Sequence, residues 1–290
     1  GVIGYNLFLY LKKKQKNVIG TYNHTRKVKL KKFNIIKDKI NNKIKIFKED
    51  KVIILTAISN PSKVFADSKT SNKVNILSTI KLIDDLKKIG CKIIFMSSIE
   101  VFDGTKGNYN ENSKPHPLNL YGKQKLFVEN YLKKNLKNFC ILRTSFIVGS
   151  DPNQRCPVKL TYDTLLKPNA KMAKDNFFAI TSVNDLSKVI YKVLFNKKFK
   201  DLQICHISSK EKVSRTELAK LVIKNSKNGF KMKFKKTLFK FINYSEPRGR
   251  KNNLISINKE INKYKFENAK SVIKKKVRII EKLNETNYSK

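Results

Sequence analysis

The 290-residue chain predicts an α/β fold: a doubly wound parallel sheet whose first strand is missing, followed by a smaller C-terminal lobe. Three observations carry this expectation. Apolar runs of strand length alternate with segments that space their apolar residues three and four apart, the pattern of a parallel sheet with crossover helices. A glycine pair, Gly1 and Gly4, stands at the start of the first helical pattern. From Ser214 onward the alternation gives way to helical patterns and lysine-rich loops.

In order along the chain, Leu7 and Leu11 follow the glycine pair at helical spacing, as at a helix N-terminus that binds phosphate. A dinucleotide fingerprint needs a further glycine three positions upstream and a strand before it. The chain therefore reads as starting inside its first β-α turn. Asn17 to Tyr22, Lys51 to Ala57, Lys92 to Ser98 and Asn138 to Val148 read as strands. Val74 to Ile89 and Leu118 to Leu136 read as amphipathic helices that cover the sheet. The stretch from Gly149 to Asp175, with Pro152, Pro157 and Pro168, reads as an excursion from it. Ser182 to Asp185 then caps a helix over Asp185 to Phe195, with a strand near Gln203 to Ile207 and a last basic amphipathic helix near Ala269 to Leu283. The expected domains are 1–148 for the nucleotide and 149–290 mainly for the substrate, with 176–208 returning to the first sheet.

Composition narrows the function. The formal net charge is +42, from 64 basic and 22 acidic residues, but seven of the basic residues are Arg and the lysines run diffusely from end to end. Arg is the residue suited to forked phosphate and base recognition, so the charge argues against nucleic-acid binding. Lys, Ile and Asn make up about two-fifths of the chain, which points to genome composition as a source of the excess. No apolar run has the length of a membrane helix. Cys91, Cys140, Cys156 and Cys205 form no C-x-x-C pair, so reduced thiols in a cytoplasm fit better than disulfides or zinc.

The most informative segment runs from the apolar strand ending in Ser97 and Ser98, through a polar loop, to Tyr121 and Lys125. Four residues apart on a helix, phenol and ammonium share a face, and a nearby cation is expected to lower the phenol's pKa toward acid/base work. Tyr10 and Lys14 repeat the spacing, but without a preceding strand, loop and Pro-x-Pro entry.

With Gly1 and Gly4, Thr56-Ala57, Val74-Asn75, Ser97-Ser98, Tyr121 to Lys125, Leu142 to Ser145 and Val183 to Leu186 in that order, the chain resembles the extended short-chain dehydrogenase/reductase family, the epimerase/dehydratase group acting on nucleotide sugars. The resemblance covers most of the chain. It implies a Rossmann-type nucleotide domain, Tyr121 as proton donor or acceptor, Lys125 holding the nicotinamide ribose, and Ser98 bonding the substrate oxygen. Ala57 and Asn75 are carried over beside the cofactor, and Glu100 beside the substrate. Val101 to Gly104, Tyr109, Glu111 and Glu246-Pro247-Arg248 resemble the dTDP-4-dehydrorhamnose reductase branch, implying reduction of a nucleotide-linked keto sugar. Arg248 is the candidate for the substrate diphosphate, because a guanidinium binds phosphate in a fork.

Two departures bear on the reaction. Dehydratases of the group carry Thr-Asp-Glu where this chain has Ser98-Ile99-Glu100, and Ile99 cannot act as their acid. The reductases carry Asp followed by an aromatic residue at Ile99 and Glu100. Epimerisation with the same Ser, Tyr and Lys remains an alternative, as does a dinucleotide-binding regulatory subunit without turnover. The resemblance is compatible with a homodimer. Cofactor choice is read after the second strand, where Asn23, His24, Thr25, Arg26 and Lys27 include no acidic residue to accept the ribose hydroxyls. Arg26 and Lys27 supply positive charge suited to a 2′-phosphate, His24 is carried beside them as a cofactor residue, and NADPH is favoured over NADH.

Overall fold

The computed structural model of the protein describes residues 1–288. In chain order it runs through helix α1 (Val2–Lys13), strands β1 (Gly20–Tyr22), β2 (Leu30–Lys32) and β3 (Lys51–Ile54), and helices α2 (Pro61–Ala66) and α3 (Ser68–Asn72). A π-helical stretch, Lys73–Ser78, leads into α4 (Thr79–Ile89). Next come β4 (Lys92–Ser98), α5 (Leu120–Asn135), β5 (Phe139–Thr144), β6 (Phe146–Val148), α6 (Pro157–Leu165), β7 (Lys171–Ala173), β8 (Phe177–Ser182), α7 (Val183–Phe195) and β9 (Ile204–Ile207). The remainder is β10 (Lys212–Ser214), α8 (Arg215–Asn225), β11 (Lys235–Thr237), β12 (Lys251–Asn252), α9 (Lys259–Asn262) and α10 (Ala269–Tyr288).

The architecture is α/β with parallel sheets. Four strands pair in parallel in the order β3-β4-β5-β9, with Phe95 opposite Ile141 and Ile141 opposite Ile204. β5 is buried throughout, as a strand covered on both faces must be; its first four residues are apolar, and Arg143 and Thr144 at its C-terminal end are buried as well. One face packs Ile54, Ile93, Phe95 and Ile141 against Ile83 and Leu86 of α4 and Val128 and Leu132 of α5. The other packs Ile94, Met96 and Leu142 against Leu7 and Leu11 of α1 and Leu186, Val189 and Ile190 of α7. Burial of such aliphatic side chains contributes about 1.5–3 kcal/mol each.

A second sheet, β10-β8-β12 with β6 also on β8, anchors the C-terminal lobe. Its core joins Phe178 and Ile180 to Leu218 and Val222 of α8 and to Ile273 and Val277 of α10. Of residues 176–208, β9 and α7 serve the first sheet while β8 belongs to the second. The strand expected over Asn17 to Tyr22 is confined to β1, which pairs in parallel with β2 in a separate two-stranded ladder. The strand expected to reach Ala57 ends at Ile54, leaving Leu55 to Asn60 as a loop. The four cysteines are buried and free. Among the described residues, no helix is long and apolar enough to cross a membrane.

Candidate active site

The C-terminal end of β4 and the first turn of α5 meet through their capping groups. Ser98 Oγ accepts from Glu100 N (3.2 Å) and starts the 3-10 turn Ile99–Val101. Asn119, the N-cap of α5, accepts at Oδ1 from Gly122 N (2.9 Å) and donates from Nδ2 to Glu100 Oε2 (2.6 Å). Gly122 is required for this contact: a Cβ there would lie 1.9 Å from the Glu100 carbonyl oxygen. Helix and turn are thereby pressed together, which sets the buried Tyr121 against the Ser98 hydroxyl and buries Lys125 one helical turn on.

The electrostatics of this group correct one expectation. The Tyr121 phenol is pushed up, not down, first by burial and then by the Glu100 charge, with a hydrogen bond to Ser98 in opposition. Lys125 does not offset these effects. Its ammonium donates to Met96 O (2.9 Å), lies 4.5 Å from the Phe95 ring centroid and stays 5.8 Å from that of Tyr121. Burial draws the Lys125 pKa down to about 8, opposed by the charge of Glu129. Burial also raises the Glu100 carboxyl, against the Asn119 hydrogen bond and the Arg248 charge. The site thus holds a phenol that keeps its proton at neutral pH beside a serine hydroxyl.

Beneath it lies a buried polar layer that the sequence reading did not single out. Glu129 accepts from Ser97 Oγ (2.5 Å), Arg143 Nε (2.9 Å) and Arg143 Nη2 (2.6 Å). Arg143 Nη1 donates in turn to His206 Nε2 (3.3 Å), while the other ring nitrogen of His206 faces the carbonyls of Tyr109 and Ile255. Burial lowers the His206 pKa, in keeping with a neutral ring. The available signal was spacing: Glu129 falls four residues after Lys125 on the inward face of α5.

The residues expected around a cofactor are spread over three places. Gly1 is the N-cap of α1, and no side chain among the described residues caps that helix end. A Cβ on Gly1 would meet nothing within 4 Å, while Gly4 packs on Leu55 of the loop that holds Ala57. His24 and Arg26 are exposed in the segment after β1. A helix start with glycine at its first turn, Gly4 lying where a Cβ would touch Leu55 at 3.4 Å, fits a dinucleotide diphosphate.

Asn75 is not a surface residue. Its amide accepts from Ile58 N (2.8 Å) and donates to Ile58 O (3.0 Å) and Gln124 Oε1 (2.7 Å). It therefore fixes the loop after β3 to α5. Arg248 lies apart from these groups, between two carboxylates. It bonds Glu246 and approaches Glu100 Oε1 at 3.9 Å, so its fork is turned to acids rather than left open.

Comparison with known proteins gives a consistent picture. The model of the RmlD substrate binding domain family matches residues 1–238. Methionine adenosyltransferase 2 subunit beta of Xenopus laevis is 30% identical over 182 residues, 61% of this chain and 54% of that protein, so the chain spans about half the length of the curated relatives it matches. Among solved structures, a hypothetical dTDP-4-dehydrorhamnose reductase from Sulfolobus tokodaii superposes with a TM-score of 0.70 at 25% identity over 88% of each chain. MoeE5 in complex with UDP-glucuronic acid and NAD has the same fold, with a TM-score of 0.79 at 14% identity over 98% of this chain and 97% of that one.

Proposed function

The chain belongs to the RmlD substrate binding domain family, and on that premise we propose that it binds a reduced nicotinamide dinucleotide and reduces the keto group of a nucleotide-linked sugar. The observation that carries this reading is Tyr121, buried, protonated and set against Ser98 at the head of α5. Gly1 and Gly4 at the start of α1, the loop through Ala57, and Lys125 would hold the cofactor, which supplies hydride when bound. Tyr121 gives its proton to the sugar oxygen, and Ser98 donates a hydrogen bond that steadies the negative charge developing there. Lys125 orients the nicotinamide ribose, and Asn119 and Glu100 hold the first turn of α5 so that the phenol stays in place. His24 and Arg26 fit the 2′-phosphate of NADPH better than the free hydroxyl of NADH.

The test is oxidation of NADPH in the presence of nucleotide 4-keto sugars, compared between the protein and Tyr121→Phe. Loss of the hydroxyl is expected to cut turnover by about 10²-fold or more, the typical contribution of a positioned acid. Cofactor affinity should stay within about twofold, because the ring still packs. Undiminished turnover in Tyr121→Phe would overturn the assignment. A second reading, a dinucleotide-binding regulatory subunit, is favoured by the identity to methionine adenosyltransferase 2 subunit beta. Cofactor binding with no oxidation against any keto sugar is the outcome that reading expects.

A further inference from the structure

Two of the seven arginines in this Arg-poor chain, Arg215 and Arg250, meet at one buried residue, Asn176. Asn176 Nδ2 donates to Arg250 O (2.8 Å). Its Oδ1 accepts from Arg215 Nη2 (3.4 Å), and its carbonyl accepts from Arg215 N (2.9 Å). The Arg248 to Arg250 segment also lies along the site. Arg248 Nη1 is 3.9 Å from Glu100 Oε1, and its guanidinium carbon is 5.9 Å from the Tyr244 ring centroid. Through Asn176, Arg215 is tied to Arg250, two residues beyond Arg248 and its contact with Glu100.

The three guanidinium groups differ in what neutralises them. Arg248 is held by Glu246 and Glu100, and Arg250 by Asp175 (3.4 Å). Arg215 has no carboxylate partner among the described residues. Its guanidinium carbon lies 4.5 Å from the Phe178 ring centroid, the residue is half-buried, and its hydrogen bonds to Asn176 fix it in place. A rigid, unneutralised guanidinium on an aromatic floor suits a phosphate, whose oxygens match its paired donors.

We infer that Arg215, rather than Arg248, takes the diphosphate of the nucleotide sugar whose keto group lies at Ser98 and Tyr121. Arg248 instead positions Glu100. The inference rests on the nucleotide-sugar reading above, and the experiment separates the two. Calorimetric titration with dTDP, UDP and inorganic pyrophosphate, and separately with NADPH, is compared among the wild type, Arg215→Met, Arg215→Lys and Arg248→Met. Arg215→Met is expected to weaken the nucleoside diphosphate at least tenfold, and Arg215→Lys to recover part of that. NADPH affinity should stay within twofold in both, which also shows that the fold is intact. Arg248→Met should weaken the nucleoside diphosphate less than Arg215→Met does.

Unchanged nucleoside diphosphate affinity in Arg215→Met would overturn the inference while leaving the proposed reduction standing. Pyrophosphate binding as tightly as dTDP and UDP would also overturn it, by showing a phosphate site with no nucleotide attached. A wild type that binds NADPH but neither nucleoside diphosphate would overturn the nucleotide-sugar reading and this inference together.

Discussion

Held under the Phe95 ring with its pKa drawn down to about 8, Lys125 is charged at neutral pH and loses that charge in mildly alkaline solution. If the ammonium holds the cofactor ribose, dinucleotide affinity should fall as pH rises through about 8. The Lys125→Met variant should bind more weakly but show no such step; a parallel step in both, measured by fluorescence titration, would assign it elsewhere. The same shift carries a sign for stability. The folded-state pKa lies below the unfolded value of about 10.4, so between these limits the unfolded chain binds the extra proton and this residue's contribution to stability rises with pH. Arg26 makes a second residue-scale prediction. Arg26→Ala should weaken NADPH severalfold and leave NADH unchanged, and equal loss for both cofactors in direct titration would remove the 2′-phosphate assignment.

At the scale of elements, the junction of β4 with α5 depends on having no side chain at position 122. Gly122→Ala would force the first turn of α5 away from the Glu100 carbonyl, at a cost of about 1–3 kcal/mol typical of overpacking, and carry Tyr121 off Ser98. Denaturation midpoint and turnover should both fall; unchanged turnover would show that the phenol's position tolerates the shift. The Glu129 and Arg143 pair beneath is enclosed, so removing one partner leaves a buried charge. Glu129→Gln should therefore cost about 3–5 kcal/mol in urea unfolding.

Elements differ in how far they could be read. Lys92 to Ser98 matched β4 residue for residue, because a four-residue apolar run, Ile93 to Met96, bounded by Lys92 and two serines leaves little choice, and α5 differed by one or two residues at each end. The second sheet and a separate β7-β11 ladder escaped the reading, since β7, β10, β11 and β12 have two or three residues each and acquire partners only through tertiary contact. The direction of the Tyr121 shift escaped it for a related reason. Helical spacing places Lys125 near the phenol, but burial and the Glu100 charge come from the packing of a turn against a helix. The carboxylates around Arg248 likewise depend on the chain crossing at Gly104 and Gly249, where a Cβ on Gly104 would stand 2.4 Å from the Gly249 Cα.

For the whole molecule, a formal charge of +42 spread over the surface means that folding concentrates like charges. Salt shortens the range of that repulsion to about 8–10 Å near physiological ionic strength and less above it. The melting temperature should therefore rise as sodium chloride increases from low to about 0.5 M, where screening is close to a few ångströms. A fall over that range in calorimetric scans would mean that the attractive ion pairs outweigh the lysine excess.

The order β3-β4-β5-β9 also sets a timetable for synthesis. β5 is complete at Thr144, yet the strand that covers its outer edge begins only at Ile204. Until that later stretch leaves the ribosome, an apolar strand presents a bare line of peptide groups, the kind of surface on which nascent chains aggregate or recruit chaperones. His206 lies on the arriving strand, so Arg143 gains its imidazole neighbour in the same event that closes the sheet. Closure of the buried polar layer beneath Tyr121 is thus deferred until β9 has been made, and ribosome-bound intermediates halted before β9 should be open to proteases along β5.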